Sequence, residues 1–428
     1  MIDGRLLDNL GADGEALVAV QTIISLFGEP YLKAKADNKP LSLLWQRLDR
    51  LATVELYIFG TCLRKVQEHN EVWLKQAVRE IKNNPTKAKG LFTEIIYLGM
   101  FSAPRAPVVP ALKNNPGFDF SITSDSGRTQ YISIKNIDIS EQQAAFQRGC
   151  RKLRAKWIEK LKITKSSLGI RVASRNSLSH EDFETIIKAI QNQKTIYTGL
   201  HLIPKDGIDV FVVNLPTSRR FSPVHTSDSV VVYCPPPNSE IERYTSRVRK
   251  ASDNLYQKTK HDNSGLRVLF MRMHVNADYS IIEEQARKIV NSPRREADCI
   301  VFYQPSYART QDNSSIIHHC FKIESNAEFA RASTQYGVIK CEIPLGSAST
   351  EQSINQIQDL VNGSILQVQP SDYLYQQGDI YAIGDVGEHI SINSPAPGLR
   401  EHGVCYINGS YVEVTSKLAP VTEELILI

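Results

Sequence analysis

Residues 118–136, FDFSITSDSGRTQYISIKN, set the fold of this chain. Two β-like runs, Phe118 to Thr123 and Gln130 to Ile137, flank the turn-forming separator Ser124-Asp125-Ser126-Gly127, and that spacing predicts a hairpin. Side chains alternate along a strand, so Ile132 and Ile134 share one face while Ser133 and Lys135 share the other. Asp119 stands between Phe118 and Phe120, and the same alternation turns its carboxylate away from both rings. A hairpin brings the two polar faces together.

Upstream, Asn83-Asn84-Pro85-Thr86 interrupts a helical pattern, and Asn84 or Thr86 is placed to cap a new helix running to about Met100. Prolines 104, 107, 110 and 116 end that helix and impose an extended connection. Within it, Glu94 shares a stripe with Leu91 and Leu98, where an unpaired carboxylate is costly and a cation compensates. Two carboxylates and a lysine beside a hairpin suit metal-assisted phosphodiester hydrolysis. Carboxylates are hard oxygen ligands for Mg²⁺, and an ammonium steadies the attacking water or the charge of the transition state.

A glutamate on a helix, then Pro-Gly-Phe-Asp119, then Ser133-Ile134-Lys135 after thirteen intervening residues resembles the PD-(D/E)xK superfamily, the restriction-endonuclease-like nucleases. The resemblance covers roughly residues 86–165 and extends toward 235. It implies an α/β fold in which Glu94 is the helix glutamate, Asp119 the metal-binding aspartate and Lys135 the catalytic lysine. Mg²⁺ or Mn²⁺ is the implied cofactor, held by Glu94, Asp119 and the Ile134 backbone carbonyl. DNA is the implied substrate, bacterial restriction or anti-phage defence the implied setting, and a homodimer or partner proteins of a defence system the implied company. Ser133, kept among the expected catalytic residues, departs from the family pattern, standing where an Asp or Glu is usual and removing one negative oxygen from the expected metal shell. If the remaining two carboxylates do not hold a metal, the same residues describe a catalytically impaired nuclease-like module that binds DNA or scaffolds a complex. A purely protein-binding α/β scaffold is a further alternative. Taken singly, Asp119 also reads as a turn residue, Lys135 as an edge-strand lysine and Glu94 as an exposed acid.

Downstream lies a long basic helix, expected from about Ser140 to Lys162. Arg148, Arg151, Lys152, Arg154, Lys156, Lys160, Lys162 and Lys165 occur around it, with Glu159 the one acid of that stretch. Ala144, Ala145, Cys150, Leu153, Trp157 and Leu161 are placed to pack inward, so that the cations radiate outward for phosphate contacts; Arg148, Arg151, Lys152, Arg154 and Lys156 are the candidate DNA-binding set. A solvated helix face reads the same way. Arg243, Arg247, Arg249, Lys250, Lys258 and Lys260 form a weaker cluster diluted by acids, and Arg219-Arg220 a weaker one still. In His318-His319-Cys320, alternation allows at most His318 and Cys320 to share one metal ion, and core packing or a local hydrogen bond is the better reading.

Around this centre, the apolar spacing of Leu44, Leu48, Leu51 and Val54 predicts one helix face within a helical region of residues 1–85. Residues 86–235 form the expected nuclease-like core. The runs RVLFMRM and DCIVFYQP, with helices near 239–260 and 279–292, predict an α/β continuation or second subdomain over 236–330. Residues 331–428 are expected to be β-rich, with a helical pattern only near 350–362.

The 428 residues carry a net charge of only +4, so any nucleic-acid signal is local. Seven cysteines without a CxxC pair suit reduced thiols. The acidic start MIDGRLLDNLGADGEALVAV lacks a signal-peptide pattern, and no apolar window reaches membrane-spanning length; a cytoplasmic location without membrane association is the expectation. Phosphate-cradling motifs GxxxxGK[ST] and GxGxxG are absent, so a nucleotide cofactor is not indicated.

Overall fold

The computed structural model describes residues 13–336 apart from short stretches at 35–38, 48–49, 103–107, 112–116, 125–126, 138, 215–227, 275–276, 278 and 310–314; beyond 336 it describes the strands within 347–419, together with Asp372 and Leu427. The order begins α1 (Asp13–Phe27), α2 (Glu29–Leu32), α3 (Pro40–Gln46), α4 (Arg50–Asn83), α5 (Pro85–Phe101), β1 (Val108–Pro110), β2 (Phe120–Thr123) and β3 (Thr129–Ile137). It continues with α6 (Glu141–Thr164), β4 (Leu168–Ser174), α7 (His180–Asn192), β5 (His201–Lys205), β6 (Ile208–Asn214) and β7 (Asp228–Cys234). Next come α8 (Asn238–Thr259), β8 (Leu266–Met273), α9 (Tyr279–Val290), β9 (Cys299–Arg309), β10 (Ser315–Ser325), α10 (Ala327–Tyr336) and β11 (Ser347–Ser349). The last strands are β12 (Ile354–Gln358), β13 (Ile365–Gln367), β14 (Tyr373–Gln377), β15 (Tyr381–Val386), β16 (His389–Ile392), β17 (Arg400–Asn408) and β18 (Tyr411–Ala419). The class is mixed α/β.

These elements form two units, one from residues 1–138, 241–352 and 424–428, the other from 139–240 and 353–423. Each unit therefore draws on stretches that the sequence reading sets in separate segments. In the first unit β1, β2 and β3 pair antiparallel, β3, β8 and β9 pair parallel, and β10 returns antiparallel to β9. Every residue of β8 is buried, as expected of a parallel strand covered on both faces. On one face Ile132, Ile134, Val268 and Phe270 pack with Phe92, Ile95 and Leu98 of α5 and with α1 and α4. On the other, Ile137, Leu269, Met271 and Met273 pack with Val248 and Ala251 of α8 and Ile282 and Ala286 of α9. Helices on both sides of this mixed sheet remove both apolar faces from water.

α5 begins at Pro85, whose missing N–H costs nothing at the first helical position, with Asn84 as the N-cap residue. It lies close against α4 at Gly99, where a Cβ would fall 2.5 Å from Cys62 Cα. The expected single helix face through Leu44, Leu48, Leu51 and Val54 is corrected: α3 stops at Gln46, Arg47 is extended (ψ 135°), and α4 starts afresh at Arg50. α4 itself bends at Asn70, whose φ of −140° is not helical.

The second unit has a five-stranded sheet in the order β14-β7-β4-β6-β5, with β4 and β7 parallel and its other pairings antiparallel. Ile170, Val172, Val210, Val212, Val230 and Val232 meet Phe146, Leu153 and Trp157 of α6 and Phe183, Ile186 and Ile190 of α7. Both helices start on serine caps. Ser140 accepts the Gln143 N–H, and Ser179 forms a capping box with Asp182. Beyond 336, the helical pattern expected near 350–362 is corrected by β12, which pairs with β13 and β15; residues 350–353 and 359–362 lie outside the described residues.

Candidate functional site

The hairpin closes through Gly127 (φ 79°), whose N–H donates to the Ser124 carbonyl. Phe120 stands opposite Ile132, and both are fully buried toward α5. One residue earlier, Asp119 donates its backbone N–H to the Ile132 carbonyl at 2.8 Å, and there the ladder ends. The next N–H that β3 presents on this side, that of Ile134, is taken by the Asp119 side chain, with Oδ2 2.5 Å from the nitrogen. The same oxygen accepts from the Ser133 hydroxyl at 3.3 Å and from the Lys135 ammonium at 3.5 Å. The Lys135 ammonium also donates to the Ile134 carbonyl at 2.8 Å. One carboxylate oxygen thus gathers three consecutive residues of β3.

Exposure divides these groups by task. Ser133 is only 2% exposed, whereas the side chains of Asp119 and Lys135 are 23% and 42% exposed, open to an arriving ligand. Glu94, on the partly buried stripe of α5, joins them electrostatically. Burial, and after it the Asp119 charge, push its carboxyl up to about 8, with the Lys135 ammonium partly offsetting both. Glu94 is therefore mostly protonated at pH 7 until a cation is supplied. A partly buried carboxyl held neutral beside an ionisable partner is the electrostatic pattern of a functional site. The structure joins Asp119, Ser133, Lys135 and the Ile134 backbone by hydrogen bonds and sets Glu94 within electrostatic reach of Asp119 and Lys135.

The donor set fits a hard divalent cation, since every candidate ligand is an oxygen: two carboxylates and one backbone carbonyl. The Ile134 carbonyl carries the Lys135 ammonium, which must move aside for that oxygen to serve. Among the described residues, no three or more His, Cys, Asp or Glu side chains are grouped to hold one ion. At β10, His319 and Cys320 are buried, and His319 Nδ1 lies 2.7 Å from the Tyr303 hydroxyl with the two rings stacked.

The candidate DNA-binding residues lie on α6, in the second unit. Arg148 and Arg151 are exposed; Lys152 pairs with Glu184 at 2.5 Å and Lys156 with Glu159 at 2.9 Å, while Arg154 is half-buried. Two features of that helix are corrected. Lys160 does not radiate outward but is buried, its ammonium donating to the carbonyls of Gln191 and Gln193 at the end of α7. Ala145 is exposed and Ala144 only partly buried, and Phe146 takes the inward position. In the second basic cluster, Arg249 donates to Gln285 and Lys260 to Gln257. Arg219 and Arg220 lie outside the described residues, as do Pro104, Pro107 and Pro116.

One cation at the end of β3 was not anticipated. Arg272 of β8 stands in register with Asn136 and donates to its Oδ1 at 3.1 Å, next to Lys135 in sequence. An arginine within the apolar run RVLFMRM is the signal, because a buried guanidinium requires partners.

Comparison with models of protein families, with characterised protein sequences and with solved structures gives no match to this chain. No helix of the described residues is long and apolar enough to cross a membrane.

Proposed function

We propose that this chain is a Mg²⁺- or Mn²⁺-dependent phosphodiesterase acting on DNA, built on a restriction-endonuclease-like core. The observation that carries the reading is the Asp119 carboxylate resting on Ser133, Ile134 and Lys135 within electrostatic reach of Glu94. In the core so defined, α5, β1, β2 and β3 are followed by α8 and β8, and residues 139–240 form an insertion between β3 and α8.

Asp119, Glu94 and the Ile134 carbonyl would hold the cation, which when bound supplies a polarised phosphoryl oxygen and an acidified water. Lys135, tethered to Asp119, places its ammonium where a water or a phosphate oxygen would be oriented and its charge offset. Glu94 must lose its proton for this to work, and α5 carries that carboxyl within electrostatic reach of Asp119. Exposed Arg148 and Arg151 supply phosphate contacts that carry no sequence preference. A role in restriction or anti-phage defence belongs to the same proposal.

The test is incubation of the purified chain with plasmid and linear DNA in Mg²⁺, Mn²⁺ or EDTA, beside Asp119→Ala and Lys135→Ala. Metal-dependent cleavage lost in both variants supports the reading, and cleavage surviving both substitutions overturns it. Ser133, a buried hydroxyl where an acid is expected, favours a second reading, a nuclease-like module that binds without cutting. Salt-sensitive DNA binding with no cleavage under any metal would select it.

A further inference from the structure

We infer that the site takes a single divalent cation rather than two, and that Ser133 is the positioning residue that fixes Asp119 to receive it; this rests on the metal-dependent reading above. Two-ion phosphodiesterase sites place their metals about 3.5–4 Å apart, which calls for carboxylates that bridge and for enough negative charge to offset two dications. Here the acids are Asp119 and Glu94, with the Lys135 ammonium 3.5 Å from Asp119 Oδ2. The three side chains together carry a single net negative charge when both acids are ionised. Among the described residues no third acid, histidine or cysteine joins them in a metal-holding group. One dication leaves this set with a single positive charge, whereas a second would leave three with no further acid among the described residues to offset them.

Ser133 acts in a way that an acid at the same position could not. Its hydroxyl is almost wholly buried and donates to Asp119 Oδ2, the oxygen that also accepts the Ile134 N–H. Two donors from adjacent residues hold one carboxylate oxygen, so the carboxylate's orientation is set before any cation arrives. All three of these contacts fall on Oδ2 and leave Oδ1 outside them. An ionised Asp or Glu at 133 would face Oδ2 as a second acceptor and repel it. Partners that orient a metal ligand typically change affinity by about 10–100-fold when removed.

The experiment is Mn²⁺ titration of the full chain without DNA, read by the loss of free-ion EPR signal, for wild type, Asp119→Asn, Ser133→Ala and Ser133→Thr, with thermal unfolding alongside. The expected result is one Mn²⁺ per wild-type chain, lost in Asp119→Asn. Ser133→Ala keeps the one-to-one stoichiometry with affinity about tenfold or more weaker. Ser133→Thr, which retains the hydroxyl, restores the affinity. Two Asp119-dependent ions in the wild type would overturn the single-ion inference. Equal affinity in wild type and Ser133→Ala would overturn the positioning role, as would a loss that Ser133→Thr does not rescue. Absence of any Asp119-dependent Mn²⁺ would defeat the metal-dependent reading itself, and the inference with it.

Discussion

Asp119 completes the backbone of its neighbour strand: its side-chain Oδ2 lies 2.5 Å from the Ile134 nitrogen, in the place where a longer β2 would have offered a carbonyl. The residue proposed to bind metal is thus also a hydrogen-bond partner of a buried strand. Asp119→Ala should leave that N–H without its acceptor, at a cost of about 1–3 kcal/mol. Asp119→Asn keeps an oxygen acceptor, so urea unfolding should show most of the loss recovered while metal binding stays absent. Equal stability of wild type and Asp119→Ala would show that the contact contributes nothing to folding.

Glu94 makes stability depend on pH. Its folded carboxyl titrates at about 8 against an ordinary 4.5, so above pH 4.5 the unfolded chain releases a proton that the folded chain keeps. The resulting penalty on the folded state is absent below about pH 4.5, grows as pH rises toward 8, and is complete above it. Glu94→Gln removes this penalty. Its melting temperature relative to wild type should climb across that window and flatten on either side, and a difference independent of pH would refute the assignment.

The same proton should be displaced by metal. At pH 7 most Glu94 carboxyls are protonated, so Mg²⁺ binding should release close to one proton per ion, seen as a dependence of the calorimetric heat on buffer ionisation enthalpy. Affinity should strengthen as pH rises to about 8. In Glu94→Gln the buffer dependence should vanish; its persistence would locate the proton elsewhere.

Lys160 is a structural cation. Its ammonium donates to the Gln191 and Gln193 carbonyls at the end of α7, joining it to α6. Lys160→Met keeps the apolar stem and removes the donors, and should destabilise the chain by about 1.5–3 kcal/mol in chemical denaturation without altering the salt dependence of DNA binding. A lowered salt slope would return Lys160 to the phosphate-contacting set.

Arg148 and Arg151 should behave oppositely. Both are exposed, so Arg148→Gln and Arg151→Gln should leave stability unchanged, weaken DNA binding irrespective of sequence, and each reduce the slope of log affinity against log salt by about 0.9. Lys152, engaged with Glu184, should matter less. Unchanged slopes in both arginine variants would remove α6 from the interface.

The hairpin and its polar face were legible because alternation is local: Ile132, Ser133, Ile134 and Lys135 fix their own sides whatever lies around them. The partner of β3 was not. RVLFMRM announces a buried strand but carries nothing that identifies residues 130–137 as its neighbour. Leu44 to Val54 kept helical spacing across a real break, since periodicity does not register an extended Arg47. Ala144 and Ala145 misled because alanine is at home on either side of a helix, and Lys160 because a long stem can carry its charge to carbonyls some thirty residues away. Ile354–Gln358 is short enough for strand and helix patterns to coincide.

The pairing of β3 with β8 also has a consequence for synthesis on the ribosome. Gln130 meets Leu266, so the strand bearing Ser133 and Lys135 emerges long before the strand that shields its other edge. The second unit waits as well, because β7 is flanked by β14 at residues 373–377. Even α4 is completed late, when the Leu427 N–H reaches the buried Glu55 carboxylate. A nascent chain must therefore keep unpaired strand edges from associating until most of its length is made, a period in which chaperones have the most to do. Fragments cut at residue 138 or 240 would inherit that unfinished state permanently.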